Sequence, residues 1–247
     1  MSRRFHWLYA PWQWLIFVPL VVILTVLGAA LAIPLSMIAG PGVASRTVAA
    51  NWARLVTWLA PARVRVRGRE NLQPGQSYVV VSNHRSQFDI PVVYGFSGLD
   101  MRWIMKAEVL KIPLIGRGAV AVGHVPIRRD DPDDARERIN RVLSDIRGGK
   151  GILFFAEGTR SRDGTLGRFK KGAFRVAIDR QLPILPITIN GTRRIMPPGT
   201  IKLVPGEVEL VIHPPVSTEG KGVDDLPAVR DEVRRAVESA LAEEPLD

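Results

Sequence analysis

The 247-residue chain has no cysteine. That absence excludes a disulfide framework, a thiolate zinc site, an iron–sulfur cluster and a cysteine nucleophile. Acidic residues are missing until Glu70, and the 41 residues from Phe5 to Ser45 contain no Lys, Arg, Asp or Glu. There is no G-x-x-x-x-G-K-[ST] phosphate loop, no internal repeat and no low-complexity segment. Charged residues at 23% and a mean hydropathy of +0.07 exclude both a disordered polyelectrolyte and a multi-span transporter. What remains is basic: 34 Lys+Arg against 24 Asp+Glu, a formal net charge of +10. Arg3, Arg4, Arg46 and Arg54 supply the basic residues of the first 60 positions.

The uncharged stretch holds Trp12–Ile33, WQWLIFVPLVVILTVLGAALAI. At ~1.5 Å per residue this run is long enough to cross a ~30 Å hydrocarbon core. It exceeds the h-region of a secretory signal, and Pro34 and Gly40-Pro41-Gly42 make a break rather than a cleavage site. Five of the six Trp (Trp7, Trp12, Trp14, Trp52, Trp58) fall in the first 60 residues, where headgroup-level anchors belong. In a second segment, Thr47–Leu59, helical spacing puts Val48, Trp52, Leu55 and Leu59 on one face and Arg54 elsewhere. Two arrangements fit: one true span plus an interfacial helix, or a re-entrant helix pair dipping into one leaflet. The flanking basic residues are balanced, so the positive-inside rule does not choose.

After residue 60 the texture becomes globular. The period-two segment Ala62–Arg69 carries Arg63, Arg65 and Arg67 on one face. Strands are expected at Tyr78–Ser82, Gly151–Phe155, Ile184–Asn190 and Glu207–His213. Amphipathic helices are expected at Pro132–Arg147, Gly172–Arg180 and Leu226–Leu241. Strands alternating with helices predict an α/β domain, a mixed sheet flanked by helices, over residues 61–247. A membrane-embedded helical segment over residues 1–60 precedes it.

Three strings carry chemistry. The first is Ser82-Asn83-His84-Arg85-Ser86-Gln87-Phe88-Asp89. On one continuous helix His84 and Asp89 would point about 140° apart. They meet if His84 sits on a loop and a helix starts near Asp89, which Pro91 favours at an early helical position. Asp89 would then hold the Nδ1–H of His84 and stabilise its imidazolium, a base with its orienting carboxylate. No third ligand lies nearby, so no metal is expected. The second string, Phe154 to Ser161, ends a buried strand in a loop with Glu157, Gly158, Thr159 and Arg160. Its guanidinium and backbone N–H groups suit a phosphate, and an ordinary solvated strand exit fits the same residues. Lys170 and Lys171 follow, just before a helix start, as further anion contacts. The third, Gly123 to Arg129, is an extended apolar stretch ending in paired arginines. Gly116-Arg117-Gly118-Ala119-Val120-Ala121 matches G-x-G-x-x-A but lacks the strand-to-helix setting of a dinucleotide site. His124 and His213 are single histidines in strand-like settings and read as structural.

Together these strings resemble the glycerolipid acyltransferases, whose best-known members are the 1-acylglycerol-3-phosphate (lysophosphatidate) acyltransferases. The family's block N-H-x-S-x-x-D is met by Asn83, His84, Ser86 and Asp89. A second block ends in an arginine after an apolar strand, here Arg129. A third, F-P-E-G-T-R-S, corresponds to Phe155 to Ser161 with Ala156 in place of proline, and a fourth to Pro183-Ile184-Leu185-Pro186. The resemblance implies acyl transfer from acyl-CoA or acyl-carrier protein, as co-substrate rather than cofactor, to the hydroxyl of lysophosphatidate. His84 would be the base and Asp89 its orienter, with Arg129, Glu157, Gly158, Thr159 and Arg160 holding the acceptor phosphate. Lyso-ornithine lipid and lysophosphatidylglycerol are alternative acceptors. The implied partners are membrane lipids, and the implied place is the cytoplasmic face of an inner or plasma membrane if the source is bacterial. A competing class, a membrane-anchored binder of nucleic acid or anionic lipid, draws on the basic charge alone. No nucleic-acid motif supports it, and an anionic leaflet accounts for the same charge.

Overall fold

The computed structural model describes residues 6–128, 138–139, 146–161 and 164–242. Arg129 and most of the expected helix Pro132–Arg147 lie outside the described residues.

The uncharged stretch forms one long helix, α1, built from His6–Trp12, a π-turn at Gln13–Phe17, and Val18–Ala39. Gly40, at φ +86°, reverses the chain. A second helix, α2, follows at once through Pro41–Ala44, a π-turn at Ser45–Ala49, and Ala50–Leu59. The two fold into a hairpin, with Trp52 Nε1 donating to Thr25 Oγ1 at 3.0 Å. Each π-turn opens on a buried polar residue, Gln13 and Ser45. Such turns re-aim a side chain out of the regular helical ladder.

Beyond it come β1 (Ala62–Arg67), β2 (Tyr78–Ser82), α3 (Asp89–Phe96), β3 (Asp100–Lys106), α4 (Ile115–Ala121) and β4 (Val125–Ile127). The chain continues through β5 (Lys150–Phe155), α5 (Gly172–Arg180), β6 (Ile184–Asn190), a single helical turn at Thr192–Ile195, β7 (Gly206–Ile212) and α6 (Leu226–Ser239). The strands form one mixed sheet in the order β1-β7-β6-β2-β5-β3-β4. Among the strand pairs of the described residues, β6–β7 alone is antiparallel. The expected α/β architecture is therefore present. Alternation along β2 splits the core: Val80 packs with α2 and α3 on one face, and Val79 and Val81 pack with α5 and α6 on the other.

The hairpin is part of that first core rather than an appendage. Ala53 is fully buried in α2, and a Cβ on Gly95 of α3 would come within 3.1 Å of Arg54. Small residues here let the helix axes approach closely. Arg54 thus turns toward the domain, its Nε donating to Gly95 O at 2.8 Å. Leu55 and Trp58 face outward, and Val48, Trp52 and Leu59 are half-buried. The apolar stripe expected to share one outward face is consequently divided between packing and surface.

Three further contacts fasten α1 along its length. The Gln13 amide donates to Ile201 O at 2.8 Å and accepts from Leu203 N at 3.0 Å. A Cβ on Gly118 of α4 would lie 2.6 Å from Ala29 Cβ, so this glycine is what allows α4 to touch α1. Ala32 packs with Val122 and Ala44. From α2, Ser45 joins a buried cluster with Tyr94, Arg102 and Asp100, and Arg46 pairs with Asp100 at 3.3 Å. Burial pushes the Tyr94 phenol up to about 12. His124 lies in the same region, edge-on to Tyr94 and Trp103, its Nδ1 accepting the Trp103 N–H. Its burial, reinforced by Arg102, lowers its pKa to about 3, so it is a neutral packing residue as its strand-like setting suggested.

Candidate active site

In the sheet β2 lies between β5 and β6, parallel to both. The chain therefore leaves all three strands at the same edge, the carboxyl edge where ligands bind in open α/β sheets. The loop after β2 carries His84, the loop after β5 carries Glu157 to Arg160, and the turn after β6 carries Thr192.

His84 sits on the loop and Asp89 begins α3, as the break at Ser82 and Pro91 predicted. His84 Nδ1 and Asp89 Oδ2 are 2.7 Å apart. The same oxygen accepts the backbone N–H groups of Arg85 (2.8 Å) and Ser86 (2.9 Å). The other oxygen accepts the hydroxyl of Thr192 at 2.5 Å. Asp89 is fully buried, yet its carboxylate has four donors, which is how a buried charge is tolerated. Because Asp89 receives the Nδ1–H, the Nε2 of His84 carries the lone pair. Nε2 has no hydrogen bond among the described residues, and 14% of the side chain remains open. The imidazole ring is stacked on Phe155, centroids 3.9 Å apart and planes at 15°.

The backbone around His84 is clamped on both sides. Its N–H donates to Glu157 Oε1 at 2.9 Å, and its carbonyl accepts Ser161 N–H at 2.9 Å. Asn83 is locked into β6, donating to Ile189 O and accepting from Ile189 N. Ser86 Oγ donates to Met196 O at 2.6 Å, and Arg85 Nη1 to Ala242 O at 3.0 Å. The asparagine and serine of the first block are thus fasteners of the loop.

In the second loop both oxygens of Glu157, expected among the phosphate contacts, accept backbone N–H groups, those of His84 and Gly167. Its carboxylate ties three chain segments together, and an anion in that position would repel a phosphate. Gly158, at φ +74°, runs directly under Lys170, whose Cε and Nζ would be 2.7 Å from any Cβ there. Lys170 is brought in by its own N–H, which donates to Ala156 O at 2.7 Å. Ala156, where the family usually has proline, donates its N–H to Ser82 O at 3.2 Å, a bond proline could not make. Thr159 is exposed. Arg160 has a buried Nη1 with no partner among the described residues, an orphan donor suited to a bound anion. Lys171 is exposed at the start of α5. Pro183 immediately precedes β6, and Pro186 is its third residue, paired with Val81 of β2.

Residues 63–190 match the family model described as Acyltransferase. The chain belongs to the acyltransferase family. Among curated relatives, the 1-acyl-sn-glycerol-3-phosphate acyltransferase BAT2, chloroplastic, of Brassica napus is 39% identical over 61% of this chain and 44% of its own length. The 1-acyl-sn-glycerol-3-phosphate acyltransferase alpha of Homo sapiens is 31% identical over 87% of this chain and 76% of its own. The chain therefore spans less than half of the Brassica protein and about three quarters of the human one. Among solved structures, the 1-acyl-sn-glycerophosphate (LPA) acyltransferase PlsC of Thermotoga maritima superposes with a TM-score of 0.69 at 27% identity. That match covers 93% of this chain and 99% of the other, so it includes the helical hairpin as well as the sheet.

Thr192 and Phe155 were not singled out as site residues from sequence. Thr192 follows a strand that must lie beside β2 for the site to form, and that adjacency is invisible without the sheet order. Phe155 was quoted only as the start of the third block, and its stacking on His84 depends on the β2–β5 register that pairs it with Ser82.

Proposed function

We propose that the protein transfers a fatty acyl group from acyl-CoA or acyl-carrier protein to the free hydroxyl of lysophosphatidate, giving phosphatidate. The observation that carries this reading is the His84–Asp89 pair with its open Nε2, set beside a loop presenting Arg160 and Lys170. His84 Nε2 takes the proton of the substrate hydroxyl as its oxygen attacks the thioester carbonyl. The C–S bond then breaks, and the imidazolium returns the proton to the departing thiolate. Asp89 stabilises the transient imidazolium, which in general base catalysis contributes ~10²–10⁴ in rate. No enzyme nucleophile is required, consistent with a chain without cysteine. Arg160 and Lys170 would hold the acceptor phosphate.

The hairpin would deliver this site to a lipid substrate by lying in one leaflet, the second of the two arrangements open from sequence. The helix Tyr9–Ala39 is long and apolar enough to cross a membrane by length and composition. Yet α1 touches the same domain at Gln13, at Ala29 and at Ala32. A crossing at ~1.5 Å per residue would carry Ala32 about 28 Å from Gln13, nearly the depth of a ~30 Å core. The domain cannot follow without entering the hydrocarbon. The outward face (Leu15, Ile16, Leu20, Ile23, Leu27, Leu31, with Trp58 of α2) is the one left for lipid.

The test is a donor-by-acceptor matrix in mixed micelles, read by lipid mass spectrometry, with His84→Ala as control. Phosphatidate is expected from lysophosphatidate, with the variant reduced at least ~10²-fold. Near-normal turnover by folded His84→Ala would overturn the base. Acylation of another lysolipid but not of lysophosphatidate would overturn the acceptor.

A further inference from the structure

We infer that the β3–β4 connection, Ala107 to Val122, is a second bilayer contact that extends the lipid-facing surface beyond the hairpin. It rests on the reading of the hairpin as a membrane anchor. The connection runs as a 3-10 turn (Ala107–Lys111), a tight reversal, and α4. At the reversal Leu114 adopts φ +63°, ψ −48°, and Ile115 N–H closes on Pro113 O at 2.6 Å. This is a three-residue γ-turn. Its exposed apolar side chains are Leu110 (44%), Ile112 (47%) and Val120 (46%), with Pro113 beside them.

That surface is continuous with the hairpin. Gly118 rests on Ala29, and Val122 packs with Ala32 and Ala44. Leu110, Arg117 and Val120 share a groove of about 480 Å³ with Ile33, Ser36 and Met37 of α1. Met37, which lines it, and the next residue Ile38 are 84% and 85% exposed. An apolar patch that large, joined to an anchor helix, belongs to a surface that meets a partner. The charges select which partner. Within Ala107 to Arg128 the one acidic residue is Glu108, paired with Lys106 at 2.7 Å, and Lys111 and Arg117 are exposed among the apolar side chains. Apolar residues interleaved with cations fit an anionic leaflet, with the aliphatic groups among upper acyl chains and the cations at phosphates.

The absence of cysteine makes a direct test simple. Single cysteines at Ile23, Ile112 and Glu219 would be labelled with an environment-sensitive fluorophore in the full-length chain. The labelled proteins would be reconstituted into phosphatidylcholine vesicles containing about a quarter phosphatidylglycerol. Ile23 reports the hairpin, and Glu219 lies on an exposed turn bonded to Gln181 at the end of α5, on the opposite face of the sheet. Folding of each would be verified by its thermal transition. The expected result is blue-shifted emission at 112, quenched by lipids carrying a nitroxide high on the chain, with no quenching at 219. Quenching at 23 but not at 112 would overturn the second contact and leave the hairpin reading intact. Loss of quenching at both 23 and 112 would overturn both. Equal quenching at all three would also overturn it, because contact would not be confined to this face. A charge reversal, Lys111→Glu with Arg117→Glu, should weaken quenching at 112 most in vesicles with phosphatidylglycerol, and an unchanged signal there would remove the cations from the contact.

Discussion

Asp89 offers the sharpest separation of catalysis from folding. Its two oxygens accept the Arg85 and Ser86 backbone N–H groups, the Thr192 hydroxyl and the His84 Nδ1–H, all out of water. Asp89→Ala would leave three buried donors besides the histidine without an acceptor. At about 1–3 kcal/mol for each orphaned group, partly relieved by relaxation, the loss is on the order of 3–6 kcal/mol. For a chain of this size 1 kcal/mol moves the melting temperature by roughly 2–4 °C, so the fall should be roughly 6–24 °C. Asp89→Asn is different. Its carbonyl oxygen still accepts from Arg85 and Ser86, and its amide donates to the Thr192 oxygen, so stability should change by only about 1 kcal/mol. What it loses is the negative charge that favours an imidazolium. Turnover should fall ~10²–10⁴-fold, in line with about 10⁴ for the same exchange in a serine-protease triad. His84→Ala, removing a ring that is partly open, should match the second variant: inactive and nearly as stable as the parent. The assay is phosphatidate formation beside thermal melting in the same detergent. If Asp89→Ala melts within a few degrees of the parent, or Asp89→Asn turns over normally, the reasoning is refuted.

Two further predictions concern the hairpin and the core beneath it. Gly118→Ala forces a methyl to within 2.6 Å of Ala29 Cβ and should cost about 1–3 kcal/mol by overpacking. Gly28→Ala meets nothing nearer than 3.8 Å and should stabilise by up to about 1 kcal/mol of helix propensity; chemical denaturation of both variants checks the contrast. His124, with its folded pKa lowered to about 3, stays neutral in the native state while an unfolded chain takes up a proton below about 6.5. Its contribution is fully present above that value and is lost at ~1.4 kcal/mol per unit as pH falls toward the folded pKa. The slope of stability between pH 6.5 and 4.5 should therefore flatten in His124→Phe. An unchanged slope would show that other groups carry it.

The two halves of the chain were legible to different degrees, for physical reasons. β2, α5 and β6 stand where the pattern put them, and β7 and α6 differ by one or two residues at their ends. Those segments are buried on one or both faces, so their apolar spacing is strict. β3 and α4 were not foreseen. β3 reads Asp-Met-Arg-Trp-Ile-Met-Lys, and its Asp100 and Arg102 are buried because they satisfy each other and Ser45, a pairing that periodicity cannot express. The glycines of Gly116-x-Gly118, matching a nucleotide fingerprint, serve packing against Leu110 and Ala29 instead. At the site, His84 and Asp89 were legible because their spacing demands a strand–loop–helix break. The backbone-tying role of Glu157 was not legible, because a carboxylate in a glycine loop looks the same whether it faces a ligand or ties backbone together. Only the neighbouring N–H groups of His84 and Gly167 distinguish the two.

Such backbone ties organise the whole site. The loop after β2 is held by Glu157 and Ser161 from the loop after β5, by Thr192 from the turn after β6, by the Asn83–Ile189 bonds to β6, and by Arg85 on Ala242. α3, which Asp89 begins, packs against α2 of the hairpin, where Arg54 caps Gly95 and Ser45 meets Tyr94. The same short helix therefore carries the orienting carboxylate at its first residue and the seat of the apolar hairpin along its length. A hairpin seated in a leaflet fixes α3 relative to that leaflet, and α3 fixes His84 through Asp89. Depth of insertion and position of the base are then one geometric variable. On the proposed reading, the 41 uncharged residues would help place the imidazole at the height of a lipid hydroxyl as well as hold the protein at the membrane.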